Sequence, residues 1–418
     1  MTDKPKLLFV NDEPQKFHDN WYGFSLLPQM DIELYLALPA DAVDSSIVDR
    51  ERTLGTDPFN ANRLTQDVGI FQASRGITFD GCGTVIEELV PSVADLAAAL
   101  GLPGLDPGAA RRTSVDKLLM RQAVAAAGID QPRFEIISEL TEASLSAAVE
   151  HVGTPCVVKP LGGFLSFGVR KLERPEDVQD TVAEVTRSWT ADVNPDLENT
   201  AGAWLLEEYV SGQMLSCEGL VQDSEIHWAP AVVEQHLGPE PHFVEEGFSI
   251  PGDFTPEQVA EIRERAGAIV HALGLDNCAF HCEMRYTDRG PLLVEIAGRE
   301  PGTAVAFLGA YGVSFVQAQV DLWLGRPASL EPTQDQALAA RLLYPERSGT
   351  LRRFDGIEQA QAVPGMWGFI QTTQVGQQAS TYPDPPSPIA YFGAIAPTKA
   401  EAERILAEAE AQLTIKID

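Results

Sequence analysis

Lysine is scarce in this chain. Eight of its 418 residues are lysine: Lys4, Lys6, Lys16, Lys117, Lys159, Lys171, Lys399 and Lys416. Arginine supplies the rest of the positive charge, so a lysine inside an apolar element calls for a reason. Acids outnumber Lys and Arg by 61 to 30, a formal net charge of −31 at pH 7. A surface of that sign repels nucleic acid and anionic membranes, so neither is expected as a partner. No run of about 18 apolar residues occurs, and no membrane-spanning helix is expected. The opening MTDKPKLLFVNDEP is too short in its apolar stretch for a secretory leader. The five cysteines (Cys82, Cys156, Cys217, Cys278 and Cys282) form no C-x-x-C pair and read as buried free thiols of a reducing cytoplasm. Cys278 and Cys282 do not have a zinc spacing. No G-x-G-x-x-G follows the first strand and no G-x-x-x-x-G-K appears, which excludes a Rossmann dinucleotide site and a P-loop.

The chain is too long for one core, so two or three domains are expected. Residues 7–10, 32–38 and 69–73 read as strands and 84–104 as a helix, an open α/β pattern. Residues 114–128 read as a helix capped by Ser114 and stopped by Gly128, with Val115, Leu118, Leu119 and Gln122 on one face. Lys117 falls in its first turn, where anions dock; the alternative is a solvated surface lysine.

The stretch TPCVVKPLGGFLSFGVRKL (154–172) is a strand ending in Lys159, a glycine-rich loop and a second strand. Such a loop can lay backbone N–H groups over phosphates; the alternative is a plain β-hairpin. WLLEEYVSG (204–212) reads as a buried strand, and 216–236 alternates like a hairpin. Residues 255–275 form an amphipathic helix capped by Thr255. NCAFHCEMRYT (277–287) and GPLLVEIAGRE (290–300) are strands joined by a DRG turn, so Glu283 and Glu295 can share one face. Two carboxylates at that distance repel unless a divalent cation neutralises them. The strand end VEIAGREPG also delivers Arg299 and Glu300. Buried charges of this kind are paired, metal-bound or working on a ligand; the alternative is a surface ion pair. Strands follow near 367–374 and 389–396, then a helix opened by a Thr398–Glu401 capping box.

The order of these pieces resembles the ATP-grasp superfamily, and within it the carboxylate–amine ligases of the L-amino acid ligase and carnosine synthase kind. The pieces are a helix-borne Lys117, a strand-borne Lys159, a glycine-rich loop, the EEYV hinge, paired Glu283 and Glu295, and Arg299. The resemblance runs over nearly the whole chain. It implies an α/β (α+β) ATP-grasp fold. An N-terminal open α/β domain would span 1–112, and a central region 113–210 would contain a lid subdomain at about 130–208. A catalytic domain would span 211–335 and a C-terminal α/β extension 336–418.

The resemblance also implies roles. Lys117 and Lys159 would contact ATP phosphates. Gly162, Gly163 and Gly168 would belong to the closing lid, with Ser166 at the phosphates. Glu207 and Val210 would meet the adenine edge, with Glu208 as a charge at the hinge. Glu283 and Glu295 would hold Mg²⁺, with Mn²⁺ as the alternative ion. Arg299 would stabilise the acyl phosphate and the tetrahedral intermediate, and Glu245 would face an amino-acid substrate. His281 is a candidate general base on the Glu283 strand; the alternative is a hydrogen-bonded structural histidine. Ala297 stands where many members carry a ligating Asn. Phe248 replaces a histidine, which implies a more apolar pocket. Met214 replaces a ribose-contacting Glu. The expected partners are a small carboxylate and an amine, and a homodimer is expected only on base rates. Two other readings use the same motifs: bicarbonate or formate activation of the purine-pathway kind, and a nucleotide-binding module without turnover.

Overall fold

The computed structural model describes residues 4–12, 24–42, 48–114, 116–162, 168–188, 203–382, 384 and 386–418. Gly163, Ser166 and residues 190–202 lie outside these residues, as does Val115.

The first unit alternates strands and helices: β1 (Lys6–Val10), β2 (Glu33–Pro39), β3 (Thr53–Thr56), α1 (Ala61–Arg75), β4 (Gly81–Gly83) and α2 (Val90–Leu100). The strands form a parallel sheet in the order β3-β2-β1-β4. The apolar run expected as a strand at 69–73 lies instead in α1. Asn60 caps that helix, Gly76 closes it at φ +62°, and Leu64, Val68 and Phe71 are buried at helical spacing. The correction has a simple cause, since a short apolar run does not by itself separate strand from helix. The helix expected from 84 begins only at Val90. A single 3-10 turn, Glu87–Leu89, precedes it and Gly101 ends it.

Two helices follow where one was expected: α3 (Pro107–Ser114) and α4 (Lys117–Ala126). Asp116, not Ser114, caps α4, accepting from the N–H groups of Leu118 and Leu119. A carboxylate at this position also complements the helix dipole. The buried face differs as well. It carries Lys117, Met120, Arg121 and Val124, while Leu119 and Gln122 are exposed. Two cations lie on the buried side because their carboxylate partners are there too.

A small antiparallel sheet comes next, from β5 (Phe134–Ile137), α5 (Glu142–Val152), β6 (Cys156–Pro160), β7 (Arg170–Leu172), α6 (Val178–Ser188) and β8 (Trp204–Glu208). Its strand order is β5-β8-β6-β7. Ile137, Leu145, Val149, Val158, Leu172 and Leu206 belong to a core cluster drawn from this unit alone.

The large sheet begins with β9 (Gln213–Gln222), β10 (Glu225–Trp228), β11 (Val233–Leu237), β12 (Glu245–Ile250), α7 (Pro256–Leu273), β13 (Cys278–Thr287) and β14 (Gly290–Ala297). Helices α8 (Ala304–Tyr311) and α9 (Phe315–Trp323) follow. Val316, Val320 and Trp323 of α9 pack into the core of the first unit with Phe9 and Leu36. The chain ends with β15 (Ala337–Leu343), β16 (Gly349–Asp355), α10 (Ile357–Gln361), β17 (Met366–Gln371), β18 (Gln378–Ala379), β19 (Ala390–Ala396), α11 (Lys399–Glu410) and β20 (Thr414–Ile417). One sheet runs β14-β13-β9-β11-β12-β15-β19-β17, so the last quarter of the chain continues the sheet that carries Glu283 and Glu295. Strands β18, β16 and β20 form a separate sheet. The cysteines are all buried and free. Among the described residues no single helix is long and apolar enough to cross a membrane.

The seam between the two halves of the large sheet is the β12–β15 pair, with Gly247 opposite Arg341. A Cβ on Gly247 would run into the Ala340 carbonyl oxygen, and Gly247 has φ +157°. Backbone cannot move aside as a side-chain tip can. Gly247→Ala is therefore expected to destabilise the protein by about 1–3 kcal/mol, as overpacking does, measured by urea unfolding.

Candidate active site

Four elements converge on one buried ion cluster. Arg121 of α4 is fully buried and grips Glu207 of β8 with two hydrogen bonds, Nε to Oε1 at 2.6 Å and a terminal nitrogen to Oε2 at 3.0 Å. Its terminal nitrogens also donate to the carbonyls of Leu293 and Val294 on β14, at 3.0 and 2.9 Å. Lys159 of β6 reaches the same carboxylate at 2.7 Å and the Val294 carbonyl at 3.4 Å. Burial pushes the Glu207 carboxyl up, but the two cations outweigh it and hold the group at about 2. Burial lowers Lys159 despite Glu207. The Glu207 side chain thus serves as counter-ion to both cations, and its backbone lies in the sheet between β5 and β6.

Lys117 stands at the first turn of α4, with Nζ 2.7 Å from Glu295 Oε1. Burial pulls its pKa down, but Glu295, Glu87 and Glu207 raise it further. Glu283 on β13 is directly opposite Glu295 on β14. Glu283 Oε1 accepts from Gln235 Nε2 at 3.0 Å and lies 3.3 Å from His281 Nε2. His281 Nδ1 is 3.0 Å from Glu218 Oε1. With a carboxylate at each ring nitrogen, both nitrogens donate. Burial opposes the charge, yet Glu218 and Glu283 raise the imidazole to about 10. The proton-accepting lone pair that a general base needs is taken, so this geometry favours the structural reading of His281.

Arg299, at the end of β14, donates to Glu87 Oε2 at 3.1 and 2.6 Å and to the Glu300 carbonyl at 2.8 Å. Glu87 comes from the first unit, in the 3-10 turn before α2, and the sequence offered no sign of it. Glu300 is buried, and burial pushes its carboxyl well up against the pull of Arg299.

Glu245 opens β12. Between His236 and Leu237 the β11–β12 register shifts, so Leu237 pairs with Glu245 and Glu246 is the extra, bulged residue. A bulge re-aims side chains. Burial raises the Glu245 carboxyl to about 7, with Glu283 adding to the shift. Glu246 lies over Gly238. Phe248 does not line an open pocket; it is buried in the core cluster that contains Leu220 and Phe307.

Glu208 faces Arg133 and Arg289, at 3.3 and 3.4 Å. Val210 sits in the short link between β8 and β9. Next to it the Tyr209 hydroxyl donates to Glu240 at 2.7 Å, and Lys171 of β7 lies over the Tyr209 ring at 4.1 Å. Gly162 and Gly168 flank the undescribed part of the glycine-rich loop; both are buried, and Gly168 has φ +74°. The structure thus gathers Lys117, Lys159, Glu207, Glu283, Glu295 and Arg299, and brings Glu245 and His281 to Glu283. Glu208 faces arginines at the hinge.

Residues 152–306 match the ATP-grasp domain, and residues 341–418 match the L-amino acid ligase C-terminal domain 2. The chain is 27% identical to an alanine–anticapsin ligase of Bacillus subtilis over 60% of its own length and 55% of that protein. It is 28% identical to human carnosine synthase 1 over 67% of its length and 34% of that protein. The chain therefore spans about half and about a third of these two curated relatives. Its fold superposes on a crystal structure of L-amino acid ligase from Bacillus licheniformis with a TM-score of 0.79, at 19% identity and with both chains fully covered.

The Glu207 carboxyl lies below its ordinary value, so its contribution to stability is present above about pH 4.5 and is lost as pH falls toward about 2. Glu207→Gln leaves Arg121 and Lys159 buried without a counter-charge. The variant is expected to lose about 3–5 kcal/mol at pH 7. Its deficit against the native chain should shrink as pH falls through that window, as followed by urea unfolding at several pH values.

Proposed function

As a member of the ATP-grasp superfamily that carries an L-amino acid ligase C-terminal domain, the chain has a fold suited to ATP-dependent ligation, and we propose that it joins a carboxylate to an amine through an acyl phosphate, releasing ADP and phosphate. At least one substrate is an amino acid. One observation carries this reading: two buried lysines, two opposed carboxylates and a strand-end arginine lie in one charged cluster. A site that only bound nucleotide would have no use for Arg299 beside it.

The donors fit a hard divalent cation. Glu283 and Glu295 are opposite one another, and their mutual repulsion is relieved here by Lys117 and His281. Ala297 offers no ligand, so these two carboxylates would hold Mg²⁺, with phosphate and water oxygens completing the shell. When bound, the ion would supply charge neutralisation for the phosphate oxygens. Lys117 and Lys159 would contact the same phosphates, and a ligand at Glu295 would free Lys117 to do so.

In the proposed reaction the substrate carboxylate attacks the γ-phosphorus, whose bond to the bridging oxygen breaks as ADP leaves. The amine then attacks the acyl carbon, and the carbon–oxygen bond to phosphate breaks. Arg299 would face the oxyanion that forms between these events; Glu87 holds its guanidinium in place beforehand, which is the preorganisation such stabilisation requires. Glu245, half-buried and close to other carboxylates, suits the ammonium group of an amino acid.

Two measurements test the reading. ADP release is expected only when a carboxylic acid and an amine, at least one of them an amino acid, are both present. ADP release with bicarbonate alone would overturn the proposal in favour of the purine-pathway reaction, and nucleotide binding without any turnover would leave a binding module. Glu245→Gln is expected to raise the amino-acid KM about ten-fold or more, about 1.4 kcal/mol, with ATP affinity unchanged. Glu246→Gln should change little, and steady-state titration of each substrate separately checks both.

A further inference from the structure

Glu218 of β9 is 1% exposed, and its two oxygens are treated very differently. Oε1 accepts from the hydroxyls of Ser216 at 2.7 Å and Thr303 at 3.3 Å, and from His281 Nδ1 at 3.0 Å. Oε2 is buried with no hydrogen-bond partner among the described residues. A buried carboxylate oxygen without a donor is costly. A Gln would satisfy the same hydroxyls without that charge, so the charge needs a reason.

The sheet register supplies one. Glu218 is opposite His281, and Glu283 is opposite both Ser216 and Glu295. His281 therefore spans from Glu218 on one side to Glu283 Oε1 on the other. Gln235, from the other neighbour of β9, donates to the same Glu283 oxygen. On the facing strand, Lys117 takes Oε1 of Glu295. Each carboxylate of the pair thus has one oxygen held by the protein.

We propose that Glu218, His281 and Gln235 are positioning residues that pin one oxygen of Glu283, so that the carboxylate presents its other oxygen to a divalent cation as a single ligand. The inference rests on the reading of Glu283 and Glu295 as the metal carboxylates. Its physical basis is denticity. A carboxylate free to turn can chelate with both oxygens, which suits the larger, flexible shell of Ca²⁺. Mg²⁺ demands near-octahedral geometry from single oxygens. Hydrogen bonds behind a ligand fix its plane and tune its affinity. In this arrangement Glu218 holds Nδ1 and orients the ring so that Nε2 lies against Glu283.

The test is Mn²⁺ binding to the full chain with a non-hydrolysable ATP analogue, read by electron paramagnetic resonance, with Mg²⁺ and Ca²⁺ as competitors. The side-chain amide of Gln reaches about as far as His Nε2, and that of Asn about as far as Nδ1. His281→Asn should keep the Glu218 contact, lose the Glu283 donor and weaken Mn²⁺ by about 10-fold or more. His281→Gln should recover most of that loss. Glu218→Gln should weaken Mn²⁺ by about 10-fold and narrow the preference for Mg²⁺ over Ca²⁺. A role confined to folding would not rank Gln above Asn or change the ratio between ions. Gln235→Met removes the other donor from a different strand and serves if a Glu218 variant fails to fold. Equal Mn²⁺ affinity in the native chain and in Glu283→Ala would overturn the metal reading itself. Loss of binding in Glu283→Ala, with native affinity in the His281→Asn, Glu218→Gln and Gln235→Met variants, would overturn the positioning role alone.

Discussion

The Arg121–Glu207–Lys159 cluster is the interaction on which the site depends. It ties α4, two strands of the small sheet and the backbone of β14 to one point. None of these groups could be buried alone, because an unpaired buried charge costs several kcal/mol. Together they satisfy one another, and the geometry admits few alternatives: a bidentate guanidinium fixes the plane of the carboxylate it holds. The small sheet has its own apolar core. It meets the large sheet through this cluster, through Glu208 with Arg289, and through the Lys171 N–H on the Pro241 carbonyl.

The second constraint is strand register. Pairing β13 with β14 so that Glu283 meets Glu295 places two like charges side by side. Lys117 arrives from α4 and His281 from β13 itself, so the pair is balanced by cations from two directions. The same register puts Glu218 behind His281. A shift of one residue would turn all of these groups to the opposite face. The β-bulge at Glu246 does similar work on β12 by changing which of two adjacent acids aligns with the site.

Much of the architecture was legible in the sequence where local chemistry is strong. The DRG turn between two apolar runs marked the β13–β14 hairpin, Thr255 and Thr398 marked helix starts, and the rarity of lysine drew attention to Lys117 and Lys159. The reading failed where local signals compete. Residues 69–73 look extended in isolation, yet belong to a helix whose apolar spacing begins at Leu64. Ser114 looked like a cap, but Asp116 two residues later is the better acceptor and takes that place. The face of α4 was misassigned because a pattern of apolar residues cannot register a helix that buries Lys117 and Arg121.

By itself the sequence determined the α/β character of the chain, part of the order of its strands and helices, and the residue types available for phosphate, metal and oxyanion contacts. These follow from spacing, caps and turn residues, which act over a few positions. Only the tertiary structure decided which charges are partners. Arg121 finds Glu207 across 86 positions, and Arg299 finds Glu87 across 212. Such pairings are set by where whole elements pack, and nothing local to either residue encodes the other. The same holds for Glu218. It reads as one acid among many in the sequence, and becomes a buried anion behind His281 only when β9 takes its place between β13 and β11.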